Sequence, residues 1–313
     1  MARLSNDFSW SVSRAALFRE CERAYYYNYY GSWGGWEAEA PERTRLLYLL
    51  KNLKTLPMWA GSIVHETIGE ALQRLARTGQ AMSVEELQAR ARTRLRSGWL
   101  EAVSGEWRTR PKKTNLQELY YGNGRSLPRE ITDSTKERVN TCLAAFAESA
   151  VRREIEATPY LQWKPIDTLD TFSIDDLKVW CAIDFAYTDA DGAVRVIDWK
   201  TGAEDRESLT TQLACYALYA AEKWFASLDR LRLCGVFLGD QARVSDYPVQ
   251  PEMLVNTKDL ILTSAEAMRA RLDDVAANQA SEERFPFCEN ERVCRRCNFR
   301  QACPYVNAAT AAP

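Results

Sequence analysis

Residues 180–202 read Trp180-Cys-Ala-Ile-Asp184-Phe-Ala-Tyr-Thr-Asp-Ala-Asp191-Gly192-Ala-Val-Arg-Val-Ile-Asp198-Trp-Lys200-Thr-Gly202. Two β-rich runs flank Asp191-Gly192, a short-range hairpin signal because the turn needs a residue that tolerates positive φ. With the three-residue loop Ala190-Asp191-Gly192 and Gly192 left-handed, the register sets Asp184 opposite Asp198. A two-residue loop shifts this by one position. Side chains two apart on a strand share a face, so Asp198 and Lys200 point the same way and Asp184 lies beside them.

Two carboxylates and an ammonium at one spot need something positive between the acids, because like charges side by side on a sheet repel. A divalent cation removes the conflict, and hard oxygen ligands favour Mg2+ or Mn2+. The lysine can then orient or help deprotonate a water and stabilise charge on a phosphate. The plainer reading is two exposed acids and a surface lysine. Against it, Asp184 interrupts the apolar series Val179, Cys181, Ile183, Phe185, and Asp198 lies between Ile197 and Trp199. An acid embedded in such a run usually needs a partner.

The chain of 313 residues, 46% hydrophobic, can bury a full core in one large domain or two. No apolar run is long enough to span a bilayer, and Met1-Ala-Arg-Leu-Ser-Asn-Asp is no signal peptide, so a cytoplasmic protein with no membrane contact is expected. With 41 basic and 43 acidic residues the overall charge does not advertise nucleic-acid binding, and any DNA contact must come from local patches. No Ser-His-Asp set, phosphate-binding glycine loop or helicase motif is found. Nine cysteines in a cytosolic chain do not read as disulfides, and those at metal-ligand spacing need another explanation.

From the start of the chain, Ser11 or Ser13 N-caps a helix expected through Tyr30. Its aromatics, with Trp33 and Trp36 beyond, are core in the plainer reading and a base-stacking surface for a single strand in the functional one. Met58–Leu75 is a helix whose buried stripe is Val64, Ile68, Ala71, Leu72 and Leu75. His65 lies at the edge of that stripe, and a lone helical histidine is more often a satisfied partly buried residue than a ligand. Residues 79–160 read as helical, Val84–Trp99 and Thr135–Thr158 most clearly. The basic and glycine-rich stretches Arg108-Thr-Arg110-Pro-Lys112-Lys113 and Tyr121-Gly-Asn-Gly-Arg125 interrupt them as a solvated loop or a flap that contacts phosphates.

After the hairpin, a helix over Thr210–Ser227 has Leu213, Ala217, Ala220 and Trp224 on its core face, with Gln212 and Tyr216 stacked on an adjacent face. Strands at Leu231–Leu238 and Ala242–Val249 and a helix at Met253–Ala277 follow. Cys294-x2-Cys297-x5-Cys303-Pro304 supplies three soft ligands, and a fourth thiolate suits an iron–sulfur cluster or zinc. The fourth is Cys21, stapling the first helix to the last loop, or Cys288, making a local knuckle. Arg292, Arg295, Arg296 and Arg300 surround these ligands, able to balance the thiolates or touch DNA. Cys142, Cys181, Cys215 and Cys234 read as small core residues, and residues 308–313 as a flexible tail.

Asp184, the Asp198-Trp-Lys200-Thr-Gly run and Gln212-x-x-x-Tyr216 resemble the PD-(D/E)XK nucleases, specifically the RecB-like branch that includes AddB-type domains and the CRISPR-adaptation exonucleases with an iron–sulfur centre. Ser11-Val-Ser13-Arg14 followed by Cys21 and a tyrosine run, and Gly61-x-x-x-His65, are similar to that branch's upstream motifs. The resemblance implies an α/β fold: a small mixed β-sheet flanked by helices, a restriction-endonuclease-like core with a large N-terminal helical region (1–165), the core proper (166–250) and a C-terminal helix and Cys-rich segment (251–307). It implies Mg2+ or Mn2+ held by His65, Asp184, Asp198 and the Trp199 carbonyl, with Glu66 a weaker neighbour. Lys200 would position the attacking water, and Gln212 and Tyr216 would support the site or the strand. It further implies a structural 4Fe-4S cluster on Cys21, Cys294, Cys297 and Cys303, preferred over zinc. The expected activity is a DNA exonuclease preferring single strands or single-stranded ends, serving repair and recombination, CRISPR adaptation or phage defence, with a helicase or defence protein as possible partner. The alternatives are a catalytically silent DNA-binding or assembly subunit and a zinc-stabilised scaffold. Ile183, where the family name has proline, is common in the RecB-like branch.

Overall fold

The computed structural model describes residues 4–122 and 126–306, so residues 123–125 of the basic stretch and the tail expected at 308–313 lie outside the described residues. In chain order the helices are α1 (Val12–Glu20), α2 (Glu22–Tyr26), α3 (Glu42–Lys51), α4 (Leu56–Thr78), α5 (Val84–Ser104), α6 (Gln117–Tyr120), α7 (Arg129–Glu148), α8 (Ala150–Ala157), α9 (Arg206–Lys223), α10 (Pro251–Arg269) and α11 (Glu291–Arg296). The strands are β1 (Thr168–Ile174), β2 (Leu177–Ile183), β3 (Phe185–Thr188), β4 (Val194–Lys200), β5 (Leu231–Phe237) and β6 (Arg243–Tyr247). Contacts group residues 1–54, 100–125 and 260–313 in one unit and residues 55–99 and 126–259 in another. Cys21 and His65, neighbours in the N-terminal half of the sequence, therefore belong to different units.

The second unit holds the sheet, in the order β3-β4-β5-β6 with antiparallel, parallel and antiparallel pairings, while β1 and β2 form a separate ribbon. This is the mixed sheet with flanking helices that the sequence predicts. Parallel neighbours cannot be joined by a tight turn, and α9 supplies the crossover between β4 and β5. Gly235 on β5 lets α9 approach: a Cβ there would stand 2.7 Å from Leu209 Cδ2. On β4, Trp199 projects to the face opposite Asp198, and its ring meets Phe146 of α7 edge-on at 5.4 Å. Helices thus cover both faces, and α4 packs along α7.

The β3–β4 turn takes the three-residue form. Gly192 has φ 77, and the Asp189 N–H donates to the Ala193 carbonyl at 2.8 Å. Pairing runs from Thr188↔Val194 to Phe185↔Ile197, which puts Asp184 level with Asp198. The β-rich run ahead of the turn is, however, two strands. Asp184 is the bend between β2, which pairs with β1, and β3, which pairs with β4.

Other boundaries also differ from expectation. The helix expected through Tyr30 breaks at Cys21, which caps α2, and the chain then widens into a π-turn at Tyr27–Gly31. Thr135–Thr158 is two helices, parted where the Ser149 hydroxyl accepts from Arg152 N and starts α8. The Asp205 side chain caps α9, which starts four residues early and ends before Trp224. The last long helix stops at Arg269, where the ladder gives way to turn bonds from Arg271 N to the Met268 carbonyl and from Leu272 N to the Arg269 carbonyl, and Asp274 accepts from Ala277 N in a separate turn beyond. Strand β1 and helix α3 had no counterpart in the sequence reading.

In the first unit, Ala24, Tyr27, Leu47, Leu50, Leu53, Phe299, Ala302 and Cys303 form a core cluster. Buried Arg23 is satisfied by the Phe285 carbonyl at 2.6 Å and Glu282 at 2.8 Å. Tyr25 and Tyr27 are core residues, whereas Trp33 and Trp36 remain 36% and 41% exposed.

Candidate metal-dependent active site

His65 comes from α4, whose start is set by the Thr55 cap and Pro57. One turn earlier, Gly61 lies where a Cβ would be 3.3 Å from Thr201 Oγ1, so this face of the helix is held close to the loop after β4. His65 Nδ1 stands 3.1 Å from Asp184 Oδ1, and the Trp199 N–H donates to Asp184 Oδ2 at 2.8 Å. Trp199 thus enters the site through its N–H, and its carbonyl is the group the resemblance would use.

Across from this pair, Lys200 Nζ donates to Gln212 Oε1 at 2.9 Å, Gln212 Nε2 donates to the Tyr216 hydroxyl at 2.7 Å, and that hydroxyl donates to Asp198 Oδ1 at 3.3 Å. Lys200 Nζ closes the ring 2.6 Å from Asp198 Oδ2, as an ion pair without hydrogen-bond alignment. Asp198, Lys200, Gln212 and Tyr216 therefore form one circuit, with His65 and Asp184 beside it. Glu66 is directed away, 3.5 Å from Arg94.

Burial, then the charge of Asp184, pushes the Asp198 carboxyl up to about 6 against the pull of Lys200. Burial works to lower the His65 imidazole, but the hydrogen bond and charge of Asp184 outweigh it and raise it above its usual value. Tyr216 is raised well above 10 by burial and by the two acids, which keeps it a phenol able to donate. Asp167, which no motif marked, is a further carboxylate at this site. It adopts φ 45, its N–H donates to the Asp184 carbonyl at 3.2 Å, and partial desolvation and Asp184 raise its carboxyl. Only an acid in a left-handed turn just ahead of β1 would have signalled it, and β1 itself was not foreseen.

The donor set fits a hard divalent cation. Asp198 is 1% exposed, and an acid so deeply buried, with a second acid beside it and one oxygen lacking an aligned donor, calls for positive charge. His65 and Lys200 supply part of that charge from within the chain. Among the described residues no group of three or more His, Cys, Asp or Glu side chains is drawn around one point as a single ion would draw them.

The first unit brings Cys21, Cys288, Cys294, Cys297 and Cys303 to one small cavity with Arg23, Phe287 and Tyr305. Cys288 Sγ and Cys294 Sγ are 3.9 Å apart, Cys21 Sγ accepts from Ala24 N at 3.4 Å, and Cys297 Sγ accepts from Phe299 N at 3.3 Å. Burial pushes the Cys21 and Cys288 thiols up and Cys297 up to about 12, so they hold protons that a soft metal would displace. Both candidates for the fourth ligand, Cys21 and Cys288, are within this set. Of the arginines expected to surround it, Arg295 pairs with Glu291 and Arg300 lies over the Tyr121 ring. Cys142, Cys181, Cys215 and Cys234 are buried elsewhere, as expected of core thiols.

A family model for the PD-(D/E)XK nuclease superfamily matches residues 9–304. The match spans almost the whole chain, and the protein belongs to this superfamily, with the mixed α/β fold of restriction-endonuclease-like cores. Membership implies a nuclease, DNA as its partner and the divalent metals such enzymes usually use. No curated protein matches the sequence. Among the described residues no helix is long and apolar enough to cross a membrane.

Proposed function

We propose that this protein is a Mg2+- or Mn2+-dependent deoxyribonuclease, an exonuclease of the RecB-like branch acting on DNA with single-stranded ends. The observation that carries the reading is the convergence of His65, Asp184, Asp198 and Lys200, from one helix and one hairpin, on a spot that Gln212 and Tyr216 lock from a second helix. His65, Asp184, Asp198 and the Trp199 carbonyl would hold the cation, which when bound supplies Lewis-acid stabilisation of charge on the scissile phosphate. Lys200, fixed by Gln212 Oε1, orients the attacking water and takes up charge near the phosphate. Tyr216 keeps Asp198 in one rotamer, and Trp199 N–H does the same for Asp184.

Cys21, Cys294, Cys297 and Cys303 would carry a structural 4Fe-4S cluster, with Cys288 the alternative fourth ligand favoured by its 3.9 Å approach to Cys294. A cytoplasmic role in repair, CRISPR adaptation or phage defence, beside a helicase or defence protein, fits a chain that carries no motor motif of its own.

The test is degradation of end-labelled single-stranded DNA with Mn2+, Mg2+ or EDTA. Wild type should need the divalent ion, and Asp198→Ala and Lys200→Ala should each lose at least about 10²-fold in rate. Undiminished cleavage by Asp198→Ala would overturn the assignment. Purified protein should be brown and contain about four irons per chain; zinc without iron would remove the cluster and leave the hydrolytic site standing.

A further inference from the structure

Two features of the first unit are unused by the nuclease site: the loop carrying the exposed Trp36 and the basic stretch 108–113. They face one another across an open groove of about 910 Å3, with residues 35–38 on one wall, residues 108–113 on the other and α3 as its floor.

The aromatic wall is built to hold its shape. Gly34 takes φ 78, and Gly35 presses against α3 so closely that a Cβ would lie 2.4 Å from Tyr48 Cβ and 2.6 Å from the Thr44 carbonyl. Arg45 ties the loop down by donating to the carbonyls of Ala38 at 2.6 Å and Ala40 at 3.0 Å. Trp36 is braced by Trp33 and Tyr48, with ring centroids at 5.1 and 5.5 Å, yet is 41% exposed.

On the basic wall, Arg110 pairs with Glu106 at 2.8 Å and Lys113 with Glu101 at 2.7 Å, while the Arg108 guanidinium lies over the Trp107 ring. Lys112 is exposed and has no carboxylate within ion-pair distance among the described residues. With Arg110 and Lys113 already paired to Glu106 and Glu101, the groove keeps Arg45, Arg108 and Lys112 against Glu37 and Glu42, so it is locally positive by one charge in a chain of net charge −2. A rigid exposed ring facing an unneutralised cation is the arrangement that holds unpaired bases and their phosphates.

We propose that this groove binds single-stranded DNA, with a base stacked on Trp36 and backbone phosphates against Arg108 and Lys112. The choice of DNA rests on the nuclease reading; the choice of a single strand rests on the groove, since paired bases offer no free face to Trp36. Stacking is indifferent to base identity, so no sequence preference is expected.

The experiment is fluorescence anisotropy of full-length protein in EDTA with labelled dT30 and with a 30-base-pair duplex, over a range of salt concentrations. Trp36→Ala should weaken dT30 binding roughly 5- to 150-fold without changing the slope of log K against log salt, because stacking is uncharged. Trp36→Phe should recover most of that loss. Lys112→Ala should lower the slope by about 0.7, the signature of one phosphate contact on a single strand. Circular dichroism and thermal melting confirm that each variant is folded.

The proposal is overturned if wild type does not bind dT30, if folded Trp36→Ala binds it like wild type, or if duplex and dT30 affinities fall together. Failure here is separable from failure of the nuclease reading. Normal dT30 binding by the groove variants with metal-dependent cleavage intact removes the groove alone, whereas reduced dT30 binding by Trp36→Ala in a protein that cleaves nothing removes the nuclease alone.

Discussion

Asp198 shows at the scale of one residue how a site of this kind costs stability. Its carboxyl rises from 3.8 to about 6 on folding, so the folded state holds a proton that the unfolded chain releases. The penalty is absent below pH 3.8, grows between there and pH 6, and is complete above it, where it amounts to about 3 kcal/mol. His65 acts in the same direction: its raised value contributes stability that is full below pH 6.5 and lost as pH rises through the folded value. Metal-free protein should therefore melt at higher temperature at pH 5.5 than at pH 7.5, as scanning calorimetry in EDTA would show. Asp198→Asn should raise the melting temperature at pH 7.5, flatten that profile and abolish cleavage. Mn2+ should stabilise wild type and leave this variant unmoved. A wild-type melting temperature that climbs with pH across this window would contradict the account of the buried acid.

At the scale of elements, the hairpin was legible because Asp191-Gly192 sets both the turn and the register, and α4 and α9 were legible because their apolar residues recur at helical period. The bend at Asp184 was not. Val179, Cys181, Ile183 and Phe185 keep one alternation across it, and alternation is blind to which partner a strand pairs with. Ser149 parted two helices for a related reason: a side-chain oxygen that satisfies a nearby N–H competes with the helix ladder, which periodicity does not register. Gly235, level with Asp198 on the neighbouring strand, makes a prediction at this scale. Gly235→Ala would push against Leu209 and displace α9, which carries Gln212 and Tyr216, costing about 1–3 kcal/mol. Denaturant melts should show that loss together with slower cleavage, since Lys200 loses its anchor.

At the scale of the whole molecule, the order of motifs along the chain was readable, and the grouping of segments was not. Each unit collects pieces far apart in sequence, and no local signal says that residues 100–125 belong with residue 21 rather than with residue 65. The cysteine cavity shows the consequence, since Cys21 meets a segment more than 260 residues later within one unit. The metal proposed for it would close a long loop and hold the unit together. Its removal by a chelator, or Cys297→Ser, should cost at least about 3 kcal/mol, a fall in melting temperature of roughly 6–12 °C. Hydrogen exchange should speed up across residues 288–303, while the strands of the second unit keep their protection. Uniform loss of protection in both units would instead mean that the chain unfolds as one body.

The turn at residues 190–192 has one more implication. Asp184 sits one residue ahead of β3, and it comes level with Asp198 because the pairs are counted outward from Gly192. Deleting a single residue there would act like a reading-frame error in space. Every amino acid would still be translated and both strands could still pair, yet the acid on one strand would trade sides with its neighbour, and the negative half of the pocket would be handed to Phe185.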